Sequence, residues 1–254
     1  SLMLMIYTFT DFGNEGPYMG QMRAVLHAGA PGIPVVDLMT DAPAFDPRVS
    51  SYLLAAVTDA LPNGGVCLAV VDPGVGSSRA PVILRANERW FVGPDNGLFE
   101  MVARRSESTI EWWEITHVPD RLSATFHGRD LFAPVAAKLA VGGRAAVETI
   151  ATPVQPDRDP YREWADDLAE VIYIDGYGNC MLGLRWSSLR DDFEIVGPAG
   201  GIALARTFSD VPKGETLCYE NAMGLAEIAV NGDNAAGKLG LEIGSKTPVR
   251  KLSG

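Results

Sequence analysis

Val66-Cys67-Leu68-Ala69-Val70-Val71-Asp72-Pro73-Gly74-Val75-Gly76-Ser77-Ser78-Arg79 joins an unbroken apolar run to a polar, glycine-bearing loop. Six apolar residues bounded by turn formers read as a buried strand, Val66–Val71. Such a strand, covered on both faces, belongs in the middle of an α/β sheet. The loop leaving its carboxyl end is where open α/β sheets build ligand sites. Gly74 and Gly76 remove side chains there, so backbone can approach a ligand or take a positive φ. A tight turn in which Asp72 bonds its own backbone is the simpler reading of the same residues.

The flanking sequence alternates strand-like and helix-like stretches as far as about residue 150. Leu4–Phe9 reads as a first strand rather than a signal peptide, because it is short and lacks a basic leader. Tyr18–Ala30 reads as a helix and Val35–Met39 as a strand. Asp46 is placed to cap a helix over Arg48–Leu61, with Pro47 at the first helical position. Val82–Leu84 and Arg89–Val92 read as short strands, and Leu131–Val141 as a helix closed by Gly142-Gly143. The alternation predicts an α/β domain over 1–150 with a mostly parallel sheet covered on both faces.

Ala151–Trp164 carries three prolines and no regular period, so 151–165 reads as a linker. From 166 to 254 come short strand-like runs, Ala169–Ile174, Cys180–Trp186, Phe193–Val196, Ile202–Thr207, Thr216–Glu220, Ala226–Val230 and Lys238–Ile243. Closely spaced strands with little helix predict a small antiparallel barrel or sandwich.

Composition narrows the partners. A net charge of −11 over 254 residues disfavours a nucleic-acid surface, and no apolar run is long enough to span a bilayer. Cys67, Cys180 and Cys218 are far apart and odd in number, which disfavours disulfide or zinc scaffolds and fits a reducing cytoplasm. The three histidines lack metal-ligand spacing, so no metal is expected. Walker A, GxGxxG, GxSxG and HExxH motifs are absent. A small-molecule ligand is the expectation.

The remaining loops carry candidate chemistry. TDFG at 10–13 puts Asp11 at a strand end, where a carboxylate accepts hydrogen bonds from a ribose diol or caps a turn. GPDNGL at 93–98 is a β-turn sequence. FHGRD at 126–130 offers His127 with Gly128 giving room beside it, while Arg129 and Asp130 pair or open the following helix. IDGYGN at 174–179 and NGDNAA at 231–236 are turn formers that also present amides suited to a purine.

Taken together and in this order, TDFG, VDPGVGSSR, GPDNGL, FHGRD and NGDNAA closely resemble the adenosine-forming S-adenosylmethionine (SAM) hydrolases, or SAM hydroxide adenosyltransferases. These are relatives of fluorinase and chlorinase. The resemblance implies an N-terminal Rossmann-like domain and a C-terminal β-barrel. It also implies a homotrimer with sites at subunit interfaces, and displacement at ribose C5′ by water or hydroxide to give adenosine and methionine, with SAM as substrate and no cofactor. Its Asp–Arg–His set falls on Asp72, Arg79 and His127, with His127 accepting a proton or, with Arg79, stabilising hydroxide. Asp11 matches the ribose aspartate. Phe126 and Gly128 match the nucleophile side, and Phe45 is an aromatic wall. Tyr177 and Asn179 match positions near nucleoside and methionine, Asn234 and Ala235 the adenine edge, and Phe208 a purine stack. Relatives often read Asp-Pro-Tyr where this chain has Gly16-Pro17-Tyr18; Glu15 or Asp175 is then left to hold the methionine ammonium. A chlorinase-like halogenase and a non-catalytic SAM or adenosine sensor are the alternatives. His127 and the short connection from GPDNGL to FHGRD stand against the halogenase.

Overall fold

Apolar strands and amphipathic helices alternate through the first half of the chain in the computed structural model, which describes residues 4–154, 160–190 and 193–252. The chain divides into two compact units, Ser1–Ala55 with Leu61–Arg162, and Ala56–Ala60 with Glu163–Gly254.

The first unit contains β1 (Ile6–Thr10), α1 (Tyr18–Gly29), β2 (Val35–Met39), the greater part of α2 (Pro47–Asp59), β3 (Val66–Val70), β4 (Pro81–Ala86) and β5 (Arg89–Pro94). It continues through α3 (Glu100–Arg104), β6 (Glu111–Ile115), α4 (Ala133–Ile150) and β7 (Ala151–Val154). The Asp46 carboxylate accepts the Val49 N–H at 2.9 Å, so Asp46 caps α2 with Pro47 at its first position. Every residue of β3 is buried. Val66, Leu68 and Val70 pack with Met22 and Leu26 of α1 and Val135 and Leu139 of α4. A strand covered on both faces needs no polar alternation, which is why this segment is apolar throughout.

The sheet order is β2-β1-β3-β5-β4-β6-β7. The expectation of a mostly parallel sheet is corrected here. The β2/β1, β1/β3 and β3/β5 pairs are parallel, whereas β5/β4, β4/β6 and β6/β7 are antiparallel. The first of these reversals is local: Asn87 (φ 47°) and Glu88 (φ 61°) form a two-residue turn that folds β4 back on β5. A second difference lies in α4, which does not stop at Gly142-Gly143. Gly143 adopts φ 53°, ψ −137°, kinks the helix and lets it resume to Ile150. The first residues of the expected linker are strand β7, paired with β6, while its residues 155–159 lie outside the described residues.

The second unit contains β8 (Leu168–Ile174), β9 (Cys180–Arg185), β10 (Phe193–Gly197), β11 (Gly200–Leu204), β12 (Thr216–Glu220), β13 (Leu225–Val230), α5 (Ala235–Leu239) and β14 (Val249–Lys251). Its sheet runs β14-β10-β11-β12-β13-β9-β8, antiparallel except for β11/β12. The chain from 244 to 247 hydrogen-bonds β8 through Gly244, Ser245 and Thr247, and continues into β14 beside β10. One segment thus bonds the edge strand β8 and then forms the opposite edge strand β14 of a curled sheet, satisfying backbone groups an open edge would expose. The strand expected over Lys238–Ile243 is not formed. Asn234 caps α5 by accepting the Gly237 N–H at 2.7 Å, and Gly240 ends it in the left-handed region, so this stretch is helix and loop.

Candidate active site

Because β1, β3 and β5 are mutually parallel, their carboxyl ends and the loops that leave them share one edge of the first sheet. Those loops are TDFG, VDPGVGSSR and GPDNGL. The middle one is a built structure. The Val75 N–H donates to the Asp72 carbonyl and the Ser77 N–H to the Gly74 carbonyl, two tight turns in succession. Gly76 has φ +78°, and a Cβ there would sit 2.6 Å from the Ala124 carbonyl oxygen, so glycine lets this loop lie against the backbone before FHGRD. Asn96 holds the loop from the other side, its amide donating to the Val71 carbonyl at 2.9 Å.

At the centre, Arg79 Nε lies 3.1 and 3.0 Å from the two carboxylate oxygens of Asp72, and Arg79 Nη2 also donates to that carboxylate. The same Nη2 lies 3.0 Å from His127 Nδ1, and the guanidinium carbon sits 5.2 Å from the Phe132 ring centroid. The Asp72 and Arg79 side chains are 5% and 10% exposed, so this ion pair is largely shielded from water. A guanidinium only donates; His127 Nδ1 must therefore be the acceptor, which puts the proton of the neutral ring on Nε2. Burial, then the Arg79 charge, holds the His127 pKa below 6.5, with Asp72 and Asp130 opposing. The resulting unit is a neutral imidazole whose outer nitrogen is an N–H donor.

Phe126 and Gly128 flank His127. The Phe126 ring meets Phe12 and Tyr18 edge-on at centroid distances of 5.7 and 5.3 Å. A Cβ at Gly128 would come within 3.2 to 3.3 Å of Met22, Phe12 and Phe126, so a larger residue requires these neighbours to move. Asp11 accepts the Phe45 N–H at 3.0 Å through one carboxylate oxygen. Phe45 itself has φ +59° and is 77% exposed. Burial raises the Asp11 pKa above 3.8; the Phe45 N–H and Asp11's own backbone N–H oppose, and the Asp72 charge adds to the rise. Gly16, where relatives often have aspartate, has φ +86°, and Glu15 is exposed.

The second unit carries its own cluster. Asp175 accepts the N–H groups of Tyr177 and Asn179, both at 2.9 Å, and the Asn179 amide at 3.1 Å, so its carboxylate is committed to shaping IDGYGN. Tyr177 is exposed and Asn179 buried. Asn234 lies against Gly178, where a Cβ would stand 2.2 Å from its side chain, and the Ala236 N–H donates to the Gly178 carbonyl. IDGYGN and NGDNAA are thereby one assembly, with Ala235 buried beneath it. The Phe208 ring lies tilted against Tyr219 at a centroid distance of 5.3 Å, and its carbonyl accepts from the Asn231 amide. Asn96, Phe12 and Tyr18 were not singled out from sequence for these roles; Asn96 stood inside a turn motif and the two rings beside Asp11 and Pro17. Among the described residues, no group of three or more His, Cys, Asp or Glu side chains is placed to hold a metal ion.

The fold and site define a two-unit α/β protein with an Asp–Arg–His network on loops at a sheet edge. Residues 6–149 match the N-terminal domain and 169–247 the C-terminal domain of SAM hydroxide adenosyltransferases. The chain belongs to this SAM hydroxide adenosyltransferase family. It is 38% identical to a Thermus thermophilus protein named (R)-S-adenosyl-L-methionine hydrolase, covering 98% of this chain and all of that one. A protein of the same name from Salinispora arenicola is 37% identical over 94% of this chain and 95% of its own. A crystal structure of an uncharacterized conserved protein from Thermotoga maritima superposes with a TM-score of 0.85 at 30% identity, covering 97% of this chain and 100% of that one.

Proposed function

We propose that this protein hydrolyses S-adenosyl-L-methionine at ribose C5′, giving adenosine and L-methionine. The observation that carries the reading is the Arg79 guanidinium shared between Asp72 and His127 Nδ1. The sulfonium leaves as a neutral thioether, so no acid is needed at the leaving group. The task is to place an oxygen nucleophile in line with the C5′–S bond, and positioning supplies several kcal/mol of the barrier. His127 Nε2–H donates to that oxygen, Arg79 supplies positive charge behind it, and Asp72 fixes the guanidinium. The C5′–O bond forms as the C5′–S pair passes to sulfur, and an attacking water releases its proton to solvent. His127 acts here as donor rather than base, because its one free lone pair is turned to Arg79.

In the same proposal Asp11 holds the ribose diol with the carboxylate oxygen that Phe45 leaves free, Phe45 forms an aromatic wall, and Phe126 and Gly128 border the nucleophile. Tyr177, Asn179, Asn234, Ala235 and Phe208 serve the nucleoside, and Asp175 shapes their loop. SAM is substrate, and no cofactor or metal takes part. The parallel half of the first sheet supports a Rossmann-like origin and the curled second sheet a β-barrel. In this reading the chain forms a homotrimer with sites at subunit interfaces, and the exposed rings of Phe45 and Tyr177 are left for a second copy or the nucleoside to cover. No helix among the described residues is long and apolar enough to cross a membrane. Cys67, Cys180 and Cys218 are buried free thiols, in keeping with the reducing, cytoplasmic setting of this reading.

The halogenase and sensor alternatives are not favoured by the relatives' names. Incubation with SAM and chromatography tests the reading: equimolar adenosine and methionine are expected. Unchanged SAM, or 5′-chloro-5′-deoxyadenosine in high chloride, would overturn it.

A further inference from the structure

The Arg129–Asp130 pair lies outside the Asp72–Arg79–His127 network, yet its contacts enclose His127. The Ser123 N–H donates to Asp130 Oδ2 at 2.8 Å, so this carboxylate closes the loop that leads into FHGRD. The Asp130 N–H reaches back to the Phe126 carbonyl at 3.3 Å, bridging His127 within the backbone. Arg129 Nε and Nη2 grip the same carboxylate at 2.6 and 3.1 Å. Arg129 Nη1 donates to Gln21 Oε1 of α1 at 2.9 Å, and its guanidinium carbon stands 5.1 Å from the Phe126 ring centroid. The backbone at Gly128–Phe132 is a single π-helical turn, wider than an α turn and of a kind found mostly at functional sites.

We propose that Asp130, held by Arg129, is the positioning residue of the site: it fixes the 123–128 backbone so that His127 Nδ1 meets Arg79. A partly exposed ion pair adds little to global stability, so its consequence is local order. The charged groups that act on His127 are Arg79 and Asp72 from the loop after β3, and Asp130 from its own turn. Asp130 therefore also offsets part of the charge that Arg79 presents to the imidazole.

The kinetic arm of the test rests on the hydrolase reading, and the NMR arm, which reads the His127 tautomer and titration, does not. Wild type, Asp130→Ala and Asp130→Asn are compared by kcat and KM for SAM, by pH profile, and by NMR titration of the His127 ring. His127→Gln assigns that ring among the chain's three histidines. Asp130→Ala should lower kcat by about 10- to 100-fold with KM little changed, as expected when a reacting geometry slips by an ångström or less. Asp130→Asn keeps an oxygen for the Ser123 N–H and should recover most of kcat at neutral pH, while its His127 titrates lower and the acid limb moves with it. Wild-type kcat in Asp130→Ala, or a KM rise with kcat unchanged, would overturn the proposal. If Asp130→Ala does not fold, Arg129→Gln, which releases the Asp130 carboxylate, decides by the ¹⁵N shifts of the His127 ring: loss of the Nε2–H tautomer that faces Nδ1 to Arg79 supports the proposal, and an unchanged tautomer overturns it. If wild type makes no adenosine, the hydrolase reading fails and the His127 tautomer in the Asp130 and Arg129 variants judges Asp130.

Discussion

Replacing Arg79 by methionine removes one group from two partners, and the two losses can be read separately. Asp72 keeps a carboxylate that is 5% exposed and has lost its cation. Breaking a buried pair from one side costs about 3–5 kcal/mol. The loop is close to solvent at Gly74 and Ser77, so the lower end, about 3 kcal/mol, is expected in urea unfolding. His127 loses the donor that fixes its tautomer at 3.0 Å, and the nucleophile loses the charge behind that ring. Loss of one preorganised electrostatic partner lowers kcat by about 10²–10³, or roughly 2.7–4 kcal/mol of barrier. Adenosine release at saturating SAM measures it. The double variant Asp72→Asn with Arg79→Met removes the stranded charge; it should regain stability over the single variant without regaining kcat. Arg79→Lys restores charge but, as a single-point donor, cannot bridge carboxylate and imidazole, so stability should recover more than turnover. A double variant no more stable than Arg79→Met, or an Arg79→Met enzyme with unchanged kcat, would refute the reasoning.

Because the neutral His127 ring is the working form and its pKa lies below 6.5, kcat should fall as pH drops through that lowered value. A limb centred above 6.5 would contradict the burial and Arg79 effects. Gly76→Ala forces a Cβ onto the Ala124 carbonyl at φ +78°; a loss of about 1–3 kcal/mol in stability and a drop in kcat are expected by urea titration and product assay. Asn96→Ala leaves the Val71 carbonyl without its side-chain donor and should cost about 1–3 kcal/mol, with turnover lost through the displaced Asp72 loop. Wild-type turnover in Asn96→Ala would show that Asn96 does not position that loop.

Elements defined by their own chemistry were legible. Asp46-Pro47 announced the start of α2, and the apolar run 66–71 announced a strand buried on both faces. Features set by partners were not. Asn87-Glu88 lacks the glycine of the usual two-residue turn, so Asn87 alone hints at the positive φ values that fold β4 back on β5. Gly142-Gly143 looks like a stop, but Val147 and Ile150 beyond it are buried against the same core as Leu139, and packing carries the helix through the kink. The site divides the same way. Asp72, Arg79 and His127 stood out by residue type and setting. Which imidazole nitrogen faces the guanidinium, and that Asp130 reaches seven residues back to Ser123, depend on backbone geometry that no spacing rule contains.

The central claim is that solvent oxygen replaces sulfur at C5′ in this site. Turnover of SAM in ¹⁸O-water, followed by mass spectrometry of both products, tests it directly. The account predicts one ¹⁸O in the 5′-hydroxyl of adenosine, none in methionine, and loss of this product in Arg79→Met. Adenosine without the label, label carried by methionine, or labelled adenosine formed at the wild-type rate by Arg79→Met would contradict it.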